Sequence, residues 1–246
     1  MFPISRGIFE DKVANFWCAS NVLIKWKTLL SQSQLAMLSL ALTLAFALPA
    51  CIDVILRPTS KRFVYSLGSI SLAFFLFSFQ VHEKNILFPL IPLNLLCLYH
   101  PRLVLINSMM ALYTCFPLIK RDGLTILYVI SILTTILFAQ TSTFQLSFVS
   151  QPFSFLPFTS KSKHLTKHPY QQRQDVPPPI IFYEIVLITM VHSLTFVLPY
   201  FPQYPYLIET LISVHGFLHF ATTWCFITYY QIFVLPSRGK LSEERE

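Results

Sequence analysis

The feature that most restricts this chain is a succession of apolar runs long enough to cross a lipid bilayer. About 20 apolar residues are needed to span roughly 30 Å of hydrocarbon. Leu35 to Leu56 meets that length with Asp53 as its one charge, and Phe63 to Val81 meets it with none. Leu124 to Gln140, Ile180 to Pro199 and Tyr206 to Leu235 are further candidates. In hydrocarbon, backbone N–H and C=O groups must be satisfied within the segment, so such runs fold as helices. Two shorter runs, Ile86 to Tyr99 and Leu103 to Ile119, lie after the second span, and the first of them carries Pro89 and Pro92, which withdraw backbone donors. They read as two short spans or as one re-entrant hairpin, and either returns the chain to the side it left. The expected fold is an all-α polytopic transmembrane helical bundle with about seven membrane segments.

Composition supports this: 54% of the residues are hydrophobic, 12% are charged, and the mean hydropathy is +0.58. The net charge of +7 would suit a nucleic-acid partner, but the basic residues fall in short clusters between apolar runs, so no nucleic acid is expected. Those clusters report orientation instead, because cytoplasmic loops carry an excess of Lys and Arg. One side receives Arg57, Lys61, Arg62, Arg102 and the four basic residues Lys161, Lys163, Lys167 and Arg173. The other receives Lys84, Lys120 and Arg121, with Lys25 and Lys27 counting against the assignment. The first side is read as cytoplasmic. The chain then divides into a non-cytoplasmic segment over 1–34, transmembrane helices over 35–140, a Ser-, Gln- and Pro-rich cytoplasmic linker over 141–179, and two helices with a tail over 180–246.

Polar groups inside such a chain are the places to look for chemistry. SFQVHEKNIL, Ser78 to Leu87, sets an imidazole, a carboxylate and an ammonium side by side. Two readings stay open. A helix end would favour the Lys84 cation by its dipole and let it snorkel to water, which does not require His82 or Glu83. A site for an anionic headgroup would use all three. In IFEDKVANFWC, Phe9, Val13, Phe16 and Trp17 recur at helical spacing, which suggests an amphipathic helix lying either on the membrane surface or packed on the rest of the protein. His215 and His219 have the spacing of a metal pair, yet no acidic residue lies between them and no third ligand is evident, so packing within the bundle is favoured. Glu184, His192 and Glu209 would serve a proton relay or pair between the last two helices. No Walker loop, nucleophile elbow or dinucleotide fingerprint is present.

FPISRGIFEDKVANFWC at Phe2 to Cys18 and FLFSFQVHEKNIL at Phe75 to Leu87, with ACIDVILRP at Ala50 to Pro58, resemble one family. It is the C-terminal half of the dolichyl-phosphate-glucose-dependent α-1,3-glucosyltransferases of the endoplasmic reticulum, the first-glucose enzymes in particular. Beyond about Leu124 the likeness is one of hydropathy and order. The family commonly carries Ser after HEK, where this chain has Asn85. The resemblance implies a C-type glycosyltransferase, multi-pass in the endoplasmic reticulum membrane, with its site on the lumenal face. Glucose would move with inversion from dolichyl phosphate glucose to a dolichyl-pyrophosphate oligosaccharide during protein N-glycosylation. The orientation read from the basic loops puts both motifs on that face.

Such a displacement needs a base for the acceptor hydroxyl and cations for the departing phosphate. On the resemblance, His82 and Lys84 suit the phosphate and Glu83 orients one of them. Arg6 and Lys12 are further candidates, with Glu10 and Asp11 orienting them or meeting sugar hydroxyls. With those cations no metal or other cofactor is expected. The base is expected upstream of Met1, so the chain reads as a fragment or a short isoform, inactive alone. The competing readings are a non-catalytic lipid-binding membrane module and a proton-coupled transporter.

Overall fold

The computed structural model describes residues 12–135 and 206–236, with 137, 186–188, 190, 191 and 193 beside them. The linker expected over 141–179 and most of the span expected over Ile180 to Pro199 lie outside the described residues. In chain order the labelled helices are α1 Phe16–Ser20, α2 Trp26–Leu29, α3 Gln32–Leu56, α4 Ser60–Phe77, α5 Leu87–Asn94, α6 Pro101–Thr114, α7 Phe116–Arg121, α8 Thr125–Thr135 and α9 Leu207–Tyr229. Turns of 3-10 helix, Glu83–Ile86 and Leu95–Leu98, extend α5 at both ends, and a π turn, Tyr230–Val234, closes α9. Among the described residues every regular element is helical, as the sequence led us to expect. Two of these stretches, Gln32–Leu56 and Leu207–Val234, are long and apolar enough to cross a membrane.

Helix α3 shows how the bundle is built. Ser31 caps it reciprocally with Gln34: the Ser31 Oγ accepts from the Gln34 N–H, and the Gln34 Oε1 accepts from the Ser31 N–H at 2.9 Å. Its buried face is Leu35, Ser39, Thr43, Ala47, Ala50 and Asp53, whereas Met37, Leu40, Leu44, Leu48, Ile52 and Ile55 point outward. A soluble helix would bury the large apolar side chains. Here, beyond Leu35, the apolar and hydroxyl residues that face inward are small, which lets backbones approach closely, and large ones face outward, as lipid requires. The inward face packs on α4. Helix α4 turns its other side to α5, where Gly68 comes so near Leu93 that an added Cβ would lie 3.4 Å from it. It reaches α9 through a bond between the Ser69 and Thr228 hydroxyls at 2.6 Å.

The two short apolar runs form a helical hairpin that follows α4 from end to end. Its descending arm, from Glu83 through α5 to Leu98, is about 28 Å long at 1.5 Å per residue in α5 and about 2.0 Å in the 3-10 turns. At the tip, His100 Nε2 and the Tyr65 hydroxyl, near the start of α4, are 2.6 Å apart, and Tyr65 stacks on Tyr230. Helix α6 returns to the level of the α4 C-terminus, where the Cys115 Sγ lies 3.8 Å from the Glu83 carbonyl. Both feet of the hairpin therefore stand at one end of the bundle.

The opposite end is closed by charge. Asp53 is buried and pairs with Arg57 four residues on and, at 2.5 Å, with Arg62, whose side chain has no exposed surface. Arg62 also donates to the carbonyls of Gln231 and Leu235 at 2.7 and 2.5 Å, and Arg57 to that of Ile232 at 3.0 Å. Gln231 Nε2 completes the set with 3.0 Å bonds to the Ala50 carbonyl and to Asp53. The last carbonyls of a helix have no intrahelical donor, and here two guanidinium groups supply them. Arg57 and Arg62, counted from sequence as loop charges, are joints between α3, α4 and the end of α9.

Two local expectations are corrected. The amphipathic surface helix does not cover the described residues Lys12 to Asn15: the backbone bends there, and α1 begins at Phe16 with the Asn15 side chain accepting from the Cys18 N–H. Val13, Ala14 and Trp17 are buried, so the described part of the apolar stripe packs on the protein, the second of the two readings. Trp17 Nε1 and Ser39 Oγ both donate to the Phe77 carbonyl, at 2.9 and 2.7 Å, pinning α1 and α3 to the end of α4. The second correction is that α4 stops at Phe77, so His82, Glu83 and Lys84 do not end that helix. They begin the next one.

Candidate functional site

The site starts from how the chain leaves α4. Phe77 is held by Trp17 and Ser39 through its carbonyl and stacks on Phe46 at 4.1 Å, with Trp224 edge-on behind it. Four residues then reverse the chain, and Gln80 does so with φ of 56°, a left-handed conformation that a residue with a Cβ seldom adopts. His82 follows as the N-cap of the 3-10 turn, and Glu83 and Lys84 are its first residues. A cation here lies at the positive end of the helix dipole, so the dipole does not account for Lys84. The exposed Lys84 still reaches water, so solvation of a helix end and an anion site both fit its position.

Glu83 is buried and His82 and Lys84 are exposed. Its carbonyl meets Cys115 at the junction of α6 and α7, which fixes HEK against the returning foot of the hairpin. Between the two feet lies an open cleft of about 330 Å3, lined by His82, Glu83, Lys84, Asn85, Leu118 and Arg121. It combines one imidazole, one ammonium, one guanidinium, one carboxylate and one amide, a set suited to an anion carrying hydrogen-bonding groups. Directly below the cleft, Leu87, Phe88, Ile91, Leu95 and Leu98 form one exposed stripe down the outer side of α5 and its flanking turns.

Lys12 is exposed and does not line that cleft. Arg6, Glu10 and Asp11 lie outside the described residues, as do Glu184 and His192. The segment after Lys12 does come to the same end of the bundle as HEK. Ser213 Oγ donates to the Val13 carbonyl at 2.5 Å, and a Cβ added to Gly216 would fall 2.7 Å from the Ala14 Cβ and 2.4 Å from the Thr114 Cγ2. Thr114 is the residue before Cys115, which touches Glu83, so a short chain of contacts links the two motifs.

Among the described residues the HGFLH pair makes packing contacts. Gly216 is the point where α6, α9 and the N-terminal segment meet, His215 packs edge-on against Tyr113 at 5.4 Å, and His219 is buried. No group of three or more His, Cys, Asp or Glu residues able to hold a metal occurs among the described residues. Glu209 sits in the first turn of α9, where a carboxylate complements the helix dipole.

Sequence reasoning missed Asn85, Leu118 and Arg121 as cleft residues. Lys120 and Arg121 were counted as charges on the same side as Lys84, and that shared side was the available signal. It lacked the return of α7 to the foot of α5.

The ALG6, ALG8 glycosyltransferase family matches residues 1–226. The chain belongs to that family. Among ALG6, ALG8 relatives, a dolichyl pyrophosphate Man9GlcNAc2 alpha-1,3-glucosyltransferase of Saccharomyces cerevisiae is 37% identical over 258 residues, 97% of this chain and 45% of the relative. A probable enzyme of the same name from Arabidopsis thaliana is 37% identical over 248 residues, 99% of this chain and 43% of the relative. One from Gallus gallus is 42% identical over 133 residues, 54% of this chain and 26% of the relative. The chain thus spans less than half the length of these ALG6, ALG8 relatives.

Proposed function

We propose that this chain supplies the donor-phosphate side of an inverting α-1,3-glucosyl transfer, from dolichyl phosphate glucose to a dolichyl-pyrophosphate Man9GlcNAc2 oligosaccharide in protein N-glycosylation. The observation that carries the reading is the cleft at the feet of the hairpin, where His82 and Lys84 converge above an exposed apolar stripe. A soluble nucleotide-sugar donor would need no such stripe. A donor with a phosphate at the bilayer surface and an isoprenoid tail in the hydrocarbon matches both halves.

The chemistry follows from those residue types. The acceptor mannose hydroxyl attacks the anomeric carbon from the face opposite the phosphate and gives its proton to a base expected in the half of the relatives that this chain does not match; the C1–O bond to phosphate breaks, and its electron pair leaves with the dolichyl phosphate. Lys84 and His82 stabilise the charge that grows on that oxygen, and buried Glu83 holds the turn that presents them. Arg6 and Lys12 are further phosphate candidates in this proposal, with Glu10 and Asp11 orienting them or meeting sugar hydroxyls. We place the cleft on the lumenal face of the endoplasmic reticulum membrane, in a multi-pass bundle of about seven segments. The outward large apolar face of α3 supports the membrane setting, and so does the hairpin whose feet share one end.

The test is restoration of activity. The chain, co-expressed with the half of the Saccharomyces cerevisiae relative that it does not match, should return glucose to the lipid-linked glycan in cells lacking the enzyme. Lys84→Ala or His82→Ala should lower transfer by about tenfold or more, the range of a lost charge-assisted contact, at unchanged protein level. Absence of restoration by the native chain, or full activity of both variants, would overturn the proposal.

A further inference from the structure

We propose that Arg121 is the second cationic jaw of the cleft, gripping the phosphate of an isoprenyl-phosphate sugar from the side opposite HEK; this deepens, and rests on, the donor-site reading above. Arg121 lies far from HEK in sequence, yet both line the same cleft of about 330 Å3. The fold brings them together for a mechanical reason. HEK begins the hairpin, Arg121 ends the helix that follows its return, and the contact between Cys115 and the Glu83 carbonyl ties the two feet.

Helix α7 is short but anchored. Phe116, in its first turn, packs on Tyr128 of α8 with ring centroids 4.9 Å apart, and Leu118 adds an apolar wall to the cleft. Arg121 then closes α7 one turn beyond Leu118. A cation in the last turn of a helix is favoured by the dipole whatever its direction, and Lys120 has that explanation too. Only Arg121 of the two lines the cleft. Lys120 is therefore an internal control, a neighbouring cation on the same turn without access to the ligand.

The residue types on the two jaws differ in a useful way. A Lys ammonium is a point charge, whereas a guanidinium offers a planar fork that meets two phosphate oxygens at once. Lys84 with His82 on one side and Arg121 on the other would hold a phosphodiester in a fixed orientation, its sugar toward the open mouth and its isoprenoid toward the stripe on α5. The apolar wall at Leu118 fits the first carbons of that isoprenoid.

Direct binding to the full chain in phosphatidylcholine nanodiscs tests this. Two probes are used, a short-chain isoprenyl phosphate glucose and an isoprenyl glucoside that lacks the phosphate. Arg121→Gln is expected to weaken the phosphate probe by about tenfold or more and leave the glucoside unchanged, as does loss of a charge-assisted hydrogen bond. Arg121→Lys should fall between, and Lys120→Gln should match the native chain. If Arg121→Gln binds the phosphate probe normally while Lys84→Gln does not, the second jaw is overturned and the donor site stands. Equal weakening of both probes would assign Arg121 to structure and overturn its phosphate role. A native chain that discriminates neither probe would overturn the donor-site reading and Arg121 with it.

Discussion

The two ends of the bundle both concentrate cationic side chains, and they use them in opposite ways. At the far end, Arg62 is wholly buried and donates to Asp53 and to the carbonyls of Gln231 and Leu235. At the near end, Lys84 and Arg121 are exposed and line an open cleft. Burying a charge costs several kcal/mol unless partners replace its water, and the far end provides those partners from the fold itself. The near end leaves its cations where a ligand can reach them. Charge directed into the protein therefore joins helices, and charge directed into a cleft is available for chemistry.

The largest expected effect comes from breaking the far end. Asp53→Ala leaves Arg62 buried with its carboxylate removed, which costs about 3–5 kcal/mol in comparable buried pairs. The purified variant should melt at a markedly lower temperature in detergent, and α9 should become the most protease-sensitive helix. Lys84→Ala should leave the same melting curve within about 0.5 kcal/mol, as for exposed positions. If the two variants destabilise equally, the contrast between the ends fails.

A middle-sized effect is expected where α6 and α9 cross. Gly216→Ala puts a methyl 2.4 Å from the Thr114 Cγ2 and 2.7 Å from the Ala14 Cβ, so backbone must shift, at roughly 1–3 kcal/mol for an overpacked core. Thr114→Ser removes that Cγ2 and keeps the hydroxyl that bonds the Ala111 carbonyl. The double variant should recover part of the loss in a thermal-melting cycle, since contacting residues are not additive. This crossing lies next to Cys115, and hence next to Glu83, so the single variant should also weaken isoprenyl phosphate glucose binding. Normal binding by a destabilised Gly216→Ala chain would separate the crossing from the cleft.

What could be read in the sequence follows the same division. The apolar runs impose helices because hydrocarbon forbids unpaired backbone, so the all-α fold was legible, and so was HEK as an oddity. Charge pairing was not. Asp53 and Arg62 stand nine residues apart across a turn, and nothing in their spacing says that both face inward or that the end of α9, far along the chain, supplies carbonyls to them. The apolar spacing of Val13, Phe16 and Trp17 was equally ambiguous, because a stripe buried against protein and one buried in lipid have the same period. The burial of Val13 and Trp17 decides it, and Asn15, by capping α1, puts the helix start later than the periodicity suggests. Arg121 required the third dimension, since the hairpin brings it to Lys84.

A smaller effect on stability than at Gly216, and the sharpest on the comparison, is expected at Gln80. Its φ of 56° sits between the anchored Phe77 and the N-cap His82, so the left-handed turn there sets the direction in which HEK enters the cleft. That conformation costs a residue with a Cβ roughly 1–2 kcal/mol, most for β-branched side chains and least for Asn, and nothing for Gly. Gln80→Asn should bind isoprenyl phosphate glucose as the native chain does. Gln80→Gly removes the local strain but loosens the unfolded chain, so the two changes nearly cancel in stability. Gln80→Val should push the turn toward extended backbone, move His82 and Lys84 off the phosphate, and lower affinity several-fold, with melting displaced by no more than about 1–2 kcal/mol. The far end, tied by Arg57 and Arg62, should not respond, so protease sensitivity of α9 should be unchanged in all three variants. Native affinity in Gln80→Val would mean that HEK is held by the Cys115 contact and the 3-10 turn alone, and the cleft would then owe its shape to the hairpin and not to the turn that leads into it.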